Sequence, residues 1–181
     1  MGGDRAFFSR KKLARKVAGK VENQFLKTTL GATAWTPLVM PLMPGTNNLT
    51  SVFSNSDAEL CAEIAAAAKN CLNLAGKTSL AQAIYALAAS KFIVSNDSGL
   101  MHVSAALGVP QVAIFGSSSP LHTPPLSSKA AVLWLKTDAA YLPPLDCAPC
   151  FERVCPLGPN DGHMRCLNDI RAERVLAALP V

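Results

Sequence analysis

Charge is scarce in this sequence. Only 16% of its 181 residues are charged and half are hydrophobic, which excludes a disordered or solvating chain. No run of eighteen apolar residues occurs, so no membrane-spanning helix is expected. Pro (13) and Gly (11) are ordinary in number, which excludes collagen-like and low-complexity chains. The start, Met1-Gly2-Gly3-Asp4-Arg5-Ala6-Phe7-Phe8, has no apolar stretch of the kind a secretory signal needs, and Ala6 stands where myristoylation wants Ser or Thr. Six cysteines are too few for a disulfide-dense secreted scaffold. A reducing, cytoplasmic compartment follows as the expectation.

What charge there is lies unevenly. Residues 1–27 carry eight of the seventeen basic residues against Asp4 and Glu22, a net +6, and the remaining residues sum to −1. The basic pI of about 9.0 therefore describes a basic head on a nearly neutral domain and gives no support for nucleic-acid binding. Lys11 to Lys27, with Leu13, Val17, Val21 and Phe25, has the pattern of a basic amphipathic helix, suited to peripheral contact with an anionic membrane. The plainer reading is a leader with accidental charge. Three prolines within 37–44 deny a regular helix or central strand there. Residues 1–50 thus read as a basic, Pro-rich leader and residues 51–181 as the folded domain.

The pattern sharpens from residue 51. Ser56 and Glu59 form a capping-box signature opening an alanine-rich helix to about Lys69. Residues 71–74 form an apolar strand. Ser79 caps a second helix with Leu80, Ala83, Ile84, Leu87 and Ala88 on one face. Strands are expected at 92–94, 111–115 and 132–135, a third helix over 98–107 stopped by Gly108 and Pro110, and a last helix over 171–179. Strands alternating with helices imply right-handed βαβ units: an α/β fold with a Rossmann-like parallel sheet covered on both faces.

Three strand-to-helix turns carry polar chemistry. Ser95-Asn96-Asp97-Ser98-Gly99-Leu100-Met101-His102 ends a buried strand and opens a helix at the carboxyl edge, where such sheets bind ligands. The helix N–H groups suit a phosphate, Gly99 admits close approach, and Ser98 and Asp97 offer a hydroxyl and a carboxylate. His102 follows one turn later. The plainer reading is an N-cap with a core-facing Met and a satisfied His. Gly116-Ser117-Ser118-Ser119-Pro120 ends the neighbouring strand and offers further donors to an anion. Leu74-Ala75-Gly76-Lys77-Thr78-Ser79 contains Gly-Lys-Thr, but Cys71 stands where a P-loop needs its first glycine, which rejects that motif.

The four cysteines Cys147, Cys150, Cys155 and Cys166 fall in a Pro-rich loop over 146–166, near His163. Tetrahedral zinc bound by all four, with His163 as substitute ligand, is one reading. Spacings of four and ten do not match a standard ribbon, and unliganded thiols, a disulfide or an iron–sulfur cluster remain as alternatives.

Leu74 to Leu80, Ser95 to His102, Phe115 to Pro120 and His122-Thr123-Pro124-Pro125-Leu126 together resemble the ADP-heptose:lipopolysaccharide heptosyltransferases of glycosyltransferase family 9. The likeness covers about residues 52–181 and implies the C-terminal, nucleotide-sugar-binding half of a GT-B enzyme. It implies metal-independent transfer of heptose from ADP-heptose to the inner core of lipopolysaccharide. It places Asp97, Ser98 and Gly99 at the pyrophosphate and heptose, His102 near the phosphates, Ser117 and Ser118 beside them, and Thr78 and Glu59 at the adenosine. The family's acceptor domain and its catalytic Asp have no counterpart in residues 1–50. An inactive ADP-heptose-binding domain, or a zinc-stabilised remnant, are the alternatives to an active enzyme.

Overall fold

Gln111-Val112-Ala113-Ile114-Phe115 is buried at every position, the burial demanded of a strand covered on both faces. The structure is a computed structural model that describes residues 49–51, 61–62, 65–66 and 71–179. The basic helix expected at 11–27, the Pro-rich stretch, and the cap formed by Ser56 and Glu59 lie outside the described residues.

In chain order the elements are β1 (Leu49–Ser51), β2 (Cys71–Asn73), α1 (Leu80–Ala88), β3 (Ile93–Asn96), α2 (Gly99–Ala106), β4 (Gln111–Phe115), β5 (Ala130–Trp134), α3 (Arg165–Asn168) and α4 (Ala172–Ala177). Residues 61–62 and 65–66 are also helical, within the span expected for the first helix. β1 pairs with β2, and β3, β4 and β5 form a sheet in that order; every pairing is parallel. The α/β expectation with a parallel sheet holds.

Alternation along β4 divides the core, because successive side chains of a strand point to opposite faces. Val112 and Ile114 join Phe92, Val94, Leu135, Leu145, Leu167, Ile170 and Val175 on one face. Ala113 and Phe115 join Met101 and Trp134 on the other. Each fully buried aliphatic side chain contributes about 1.5–3 kcal/mol, so β4 is the energetic centre of the domain. Leu87 of α1, Ile93 and Val109 form a third cluster, with Leu100 and Val103 of α2 packed on it, and this joins α1 to α2.

Local chemistry sets the helix ends. Ser79 Oγ accepts the Gln82 N–H at 3.3 Å and the Ser79 N–H donates to Gln82 Oε1 at 2.8 Å, a complete capping box. Of the apolar face expected on α1, Ala83 and Leu87 are buried, while Leu80 and Ala88 are exposed. Ser98 caps α2, and Gly108 follows it at φ +67, a left-handed position that glycine adopts without penalty.

The expected bounds of β3 are corrected. β3 continues through Ser95 and Asn96, because these polar residues pair in register with Ala113 and Ile114. The β4–β5 connection, residues 116–129, holds no helix. Pro120, Pro124 and Pro125 lack the N–H groups a helix would need, in keeping with the loop expected after β4.

The segment between β5 and α3 has little regular structure but many fixed points. Leu145 and Ala148 are buried in the core beside β4. Lys136 Nζ donates to the Leu145 carbonyl at 2.7 Å, Arg165 donates to the carbonyls of Pro143 and Pro144, and Arg174 pairs with Asp138. The Tyr141 hydroxyl donates to Asp169, and the Arg165 guanidinium lies 5.4 Å from the Tyr141 ring centre.

Candidate functional site

The carboxyl ends of β3 and β4 lie side by side. Their last paired residues are Asn96 and Ile114, and the Asp97 N–H donates to the Ile114 carbonyl at 3.1 Å. Parallel neighbours are about 4.8 Å apart, so the Asp97-Ser98-Gly99 turn adjoins the Gly116-Ser117-Ser118 turn.

Ser98 stands in extended backbone at the α2 N-cap, and its Oγ accepts the Met101 N–H at 3.4 Å. That bond leaves the Ser98 O–H proton available to a ligand. The other first-turn N–H groups of a helix have no partner within it, which gives this edge a partial positive charge. Gly99 is exposed, and a β-carbon added there would meet no protein atom within 4 Å. Met101 is fully buried and His102 is exposed, so the two neighbours on α2 divide between core and edge.

The second turn is braced from behind. The Trp134 indole N–H donates to the Gly116 carbonyl at 3.4 Å. The Phe151 N–H donates to the Ser117 carbonyl at 2.9 Å, which ties the cysteine-rich loop to this turn. Ser119 is buried, and its Oγ accepts the Leu121 N–H at 3.2 Å. Trp134 and Phe151 are site-supporting residues that sequence reasoning missed. The sequence signal for Trp134 is its ring nitrogen, which needs an acceptor once buried at a strand end.

The structure therefore gathers Asp97, Ser98, Gly99, Ser117 and Ser118 at one edge, with His102 one turn along α2. Thr78 lies half-buried in the turn after β2, where the Lys77 N–H donates to the Leu74 carbonyl at 3.0 Å and Gly76 takes φ +67. That turn belongs to the β1–β2 pair. Glu59 lies outside the described residues.

Cys147, Cys150, Cys155 and Cys166 line one cavity together with Ser117 and Met164. Cys147 is exposed and Cys150, Cys155 and Cys166 are half-buried, and Cys155 Sγ accepts the Met164 N–H at 3.2 Å. No three of the described His, Cys, Asp and Glu side chains form a group that could hold a metal ion, which corrects the zinc expectation. The thiols share the walls of one cavity. His163 is engaged elsewhere, with Nδ1 2.9 Å from the Leu157 carbonyl. The loop is held instead by its buried leucine and alanine and by the Lys136 and Arg165 contacts.

Burial, followed by the neighbouring Cys155, Cys147 and Cys150, pushes the Cys166 thiol up to about 12. Cys166 is therefore expected to alkylate more slowly at neutral pH than the exposed Cys147, as peptide mapping after timed iodoacetamide labelling would show. The unfolded thiol ionises near its ordinary 9.0 while the folded one keeps its proton, so below pH 9 this group costs nothing. Stability should fall as pH rises from about 9 towards 12, and Cys166→Ala should weaken that fall in denaturant titrations. Similar thiol rates, or an unaltered pH slope, would contradict this.

A parallel α/β domain with two polar turns meeting at its carboxyl edge defines a class of ligand-binding Rossmann-like domains. The sequence profile of "Glycosyltransferase family 9 (heptosyltransferase)" matches residues 46–160, well over half the chain, and the chain belongs to that family. It is 47% identical over 109 residues to lipopolysaccharide heptosyltransferase 2 of Escherichia coli (strain K12), covering 60% of this chain and 28% of that protein. It is 54% identical over 111 residues to lipooligosaccharide heptosyltransferase 2 of Haemophilus ducreyi, covering 60% and 29%. The solved structure of E. coli ADP-heptose LPS heptosyltransferase II superposes with a TM-score of 0.60 at 31% identity, covering 93% of this chain and 39% of that one. The chain thus spans less than a third of the length of these two relatives. The family resemblance read from the sequence is borne out.

Proposed function

We propose that residues 51–181 form the donor-binding, C-terminal half of a GT-B heptosyltransferase, which transfers heptose from ADP-heptose to the inner core of lipopolysaccharide. The observation that supports this best is the junction of the Asp97-Ser98-Gly99 and Ser117-Ser118 turns at the N-terminus of α2 in a family 9 chain. On this reading the pyrophosphate lies against the first turn of α2, with the backbone of Gly99 beneath it. Asp97 accepts a hydrogen bond from a sugar hydroxyl. Thr78 and Glu59 border the adenosine. As the bond to the anomeric carbon breaks, charge accumulates on ADP, and the helix N–H groups, Ser98 and His102 stabilise it without a metal.

The proposed place of action is the cytoplasmic side, with the acceptor lipid at the inner membrane. Among the described residues no helix is long and apolar enough to cross a membrane.

Transfer needs a second element besides leaving-group stabilisation: an acceptor hydroxyl deprotonated and held in line. The residues gathered at this edge supply the first. General-base catalysis typically contributes a factor of about 10²–10⁴. The expected result is therefore binding of ADP and ADP-heptose by the purified chain, with heptose transfer to a heptose-deficient core close to background. Calorimetry measures the binding, and ADP release against a protein-free control measures the transfer. A chain that binds neither ligand would end the donor-site reading. Acceptor-dependent ADP release would place a working base within this chain.

A further inference from the structure

Phe151 combines three features that its own packing does not account for. It occupies left-handed backbone at φ 56, a conformation that bulky L-residues rarely adopt. Its ring is 56% exposed, so burial offsets little of that cost. Its N–H donates to the carbonyl of Ser117, which ties it to the candidate site. The ring meets the exposed His122 imidazole with centroids 5.8 Å apart and planes tilted by 60°. Two rings, one from each loop, are thus held open to solvent beside the Ser117 turn.

We infer that Phe151 and His122 form the platform for the sugar ring of the donor. This rests on the donor-site reading above. With the pyrophosphate at the N-terminus of α2 and the adenosine towards Thr78, the sugar is left to the β4 side, where Ser117 and the ring pair stand. A pyranose presents one face of C–H groups and an edge of hydroxyls. The C–H face suits an aromatic ring, and the hydroxyls suit Ser117 and the His122 nitrogens. The left-handed backbone at Phe151 aims the ring while its N–H steadies the turn. Phe151 is in this sense a specificity residue for the sugar, separate from the phosphate contacts.

The test compares ADP with ADP-heptose by calorimetry on the full chain and on Phe151→Asn and Phe151→Trp. Asn tolerates left-handed backbone, so the first substitution removes the ring while sparing the loop. Trp keeps an aromatic face, and thermal melts of both variants check the fold. Phe151→Asn should weaken ADP-heptose binding roughly tenfold and leave ADP binding unchanged, and Phe151→Trp should retain both. Equal losses for the two ligands would reduce Phe151 to a brace for the Ser117 turn and overturn the inference. Unchanged ADP-heptose affinity in Phe151→Asn would also overturn it, while leaving the donor site standing. Failure of the unsubstituted chain to bind either ligand would overturn both readings at once.

Discussion

Gly99→Val is expected to reduce ADP affinity at least tenfold while leaving the melting temperature essentially unaltered. A tenfold loss corresponds to about 1.4 kcal/mol, a modest demand on a bulky group placed in a phosphate's path. The expectation is selective because of where Gly99 stands. An added β-carbon meets nothing within 4 Å, and Gly99 lies in ordinary backbone, so the fold has no steric reason to object. Valine is also a better helix former than glycine. Any loss of binding therefore reports on the space outside the protein, over the first turn of α2, where the pyrophosphate is proposed to lie. Calorimetry with ADP, paired with a thermal melt, separates the two effects. A variant with unchanged ADP affinity would move the phosphate away from this turn.

Gly116→Ala is expected to act through the fold instead. A β-carbon there would lie 2.6 Å from Leu167 Cγ and 2.7 Å from its Cδ2, closer than real contacts allow. Gly116 and Leu167 are both buried, so the leucine has little room to retreat. Overpacking of this kind typically costs about 1–3 kcal/mol. Leu167→Ala alone should cost about 2–5 kcal/mol by leaving a cavity. Because the two residues share one space, the double variant should lose less than the sum of the single losses. Denaturant unfolding of the four proteins measures the coupling. Strict additivity would mean that α3 does not press on the Gly116 turn as the structure has it. The same contact explains how the cysteine-rich segment reaches the site: α3 packs behind Gly116, and Phe151 holds the carbonyl of Ser117.

Local sequence determined the parts of this protein whose physics is local. Four consecutive apolar residues at 112–115, following Gln111, forced a strand buried on both faces. Ser79 with Gln82, Ser98, and Gly108 marked helix ends, because caps act within four residues of chain. The Ser95 to His102 and Phe115 to Pro120 motifs carried the family. Tertiary structure decided the rest. Ser95 and Asn96 became strand only because Ala113 and Ile114 offered paired backbone, which no property of a serine or an asparagine announces. The cysteines, whose spacing invited a metal, line a shared cavity, because Leu145, Ala148 and Arg165 govern the loop's course. Spacing along a chain specifies which ligands are available. Whether sulfurs meet at a point depends on packing between segments distant in sequence, and that is settled only when the core closes around them.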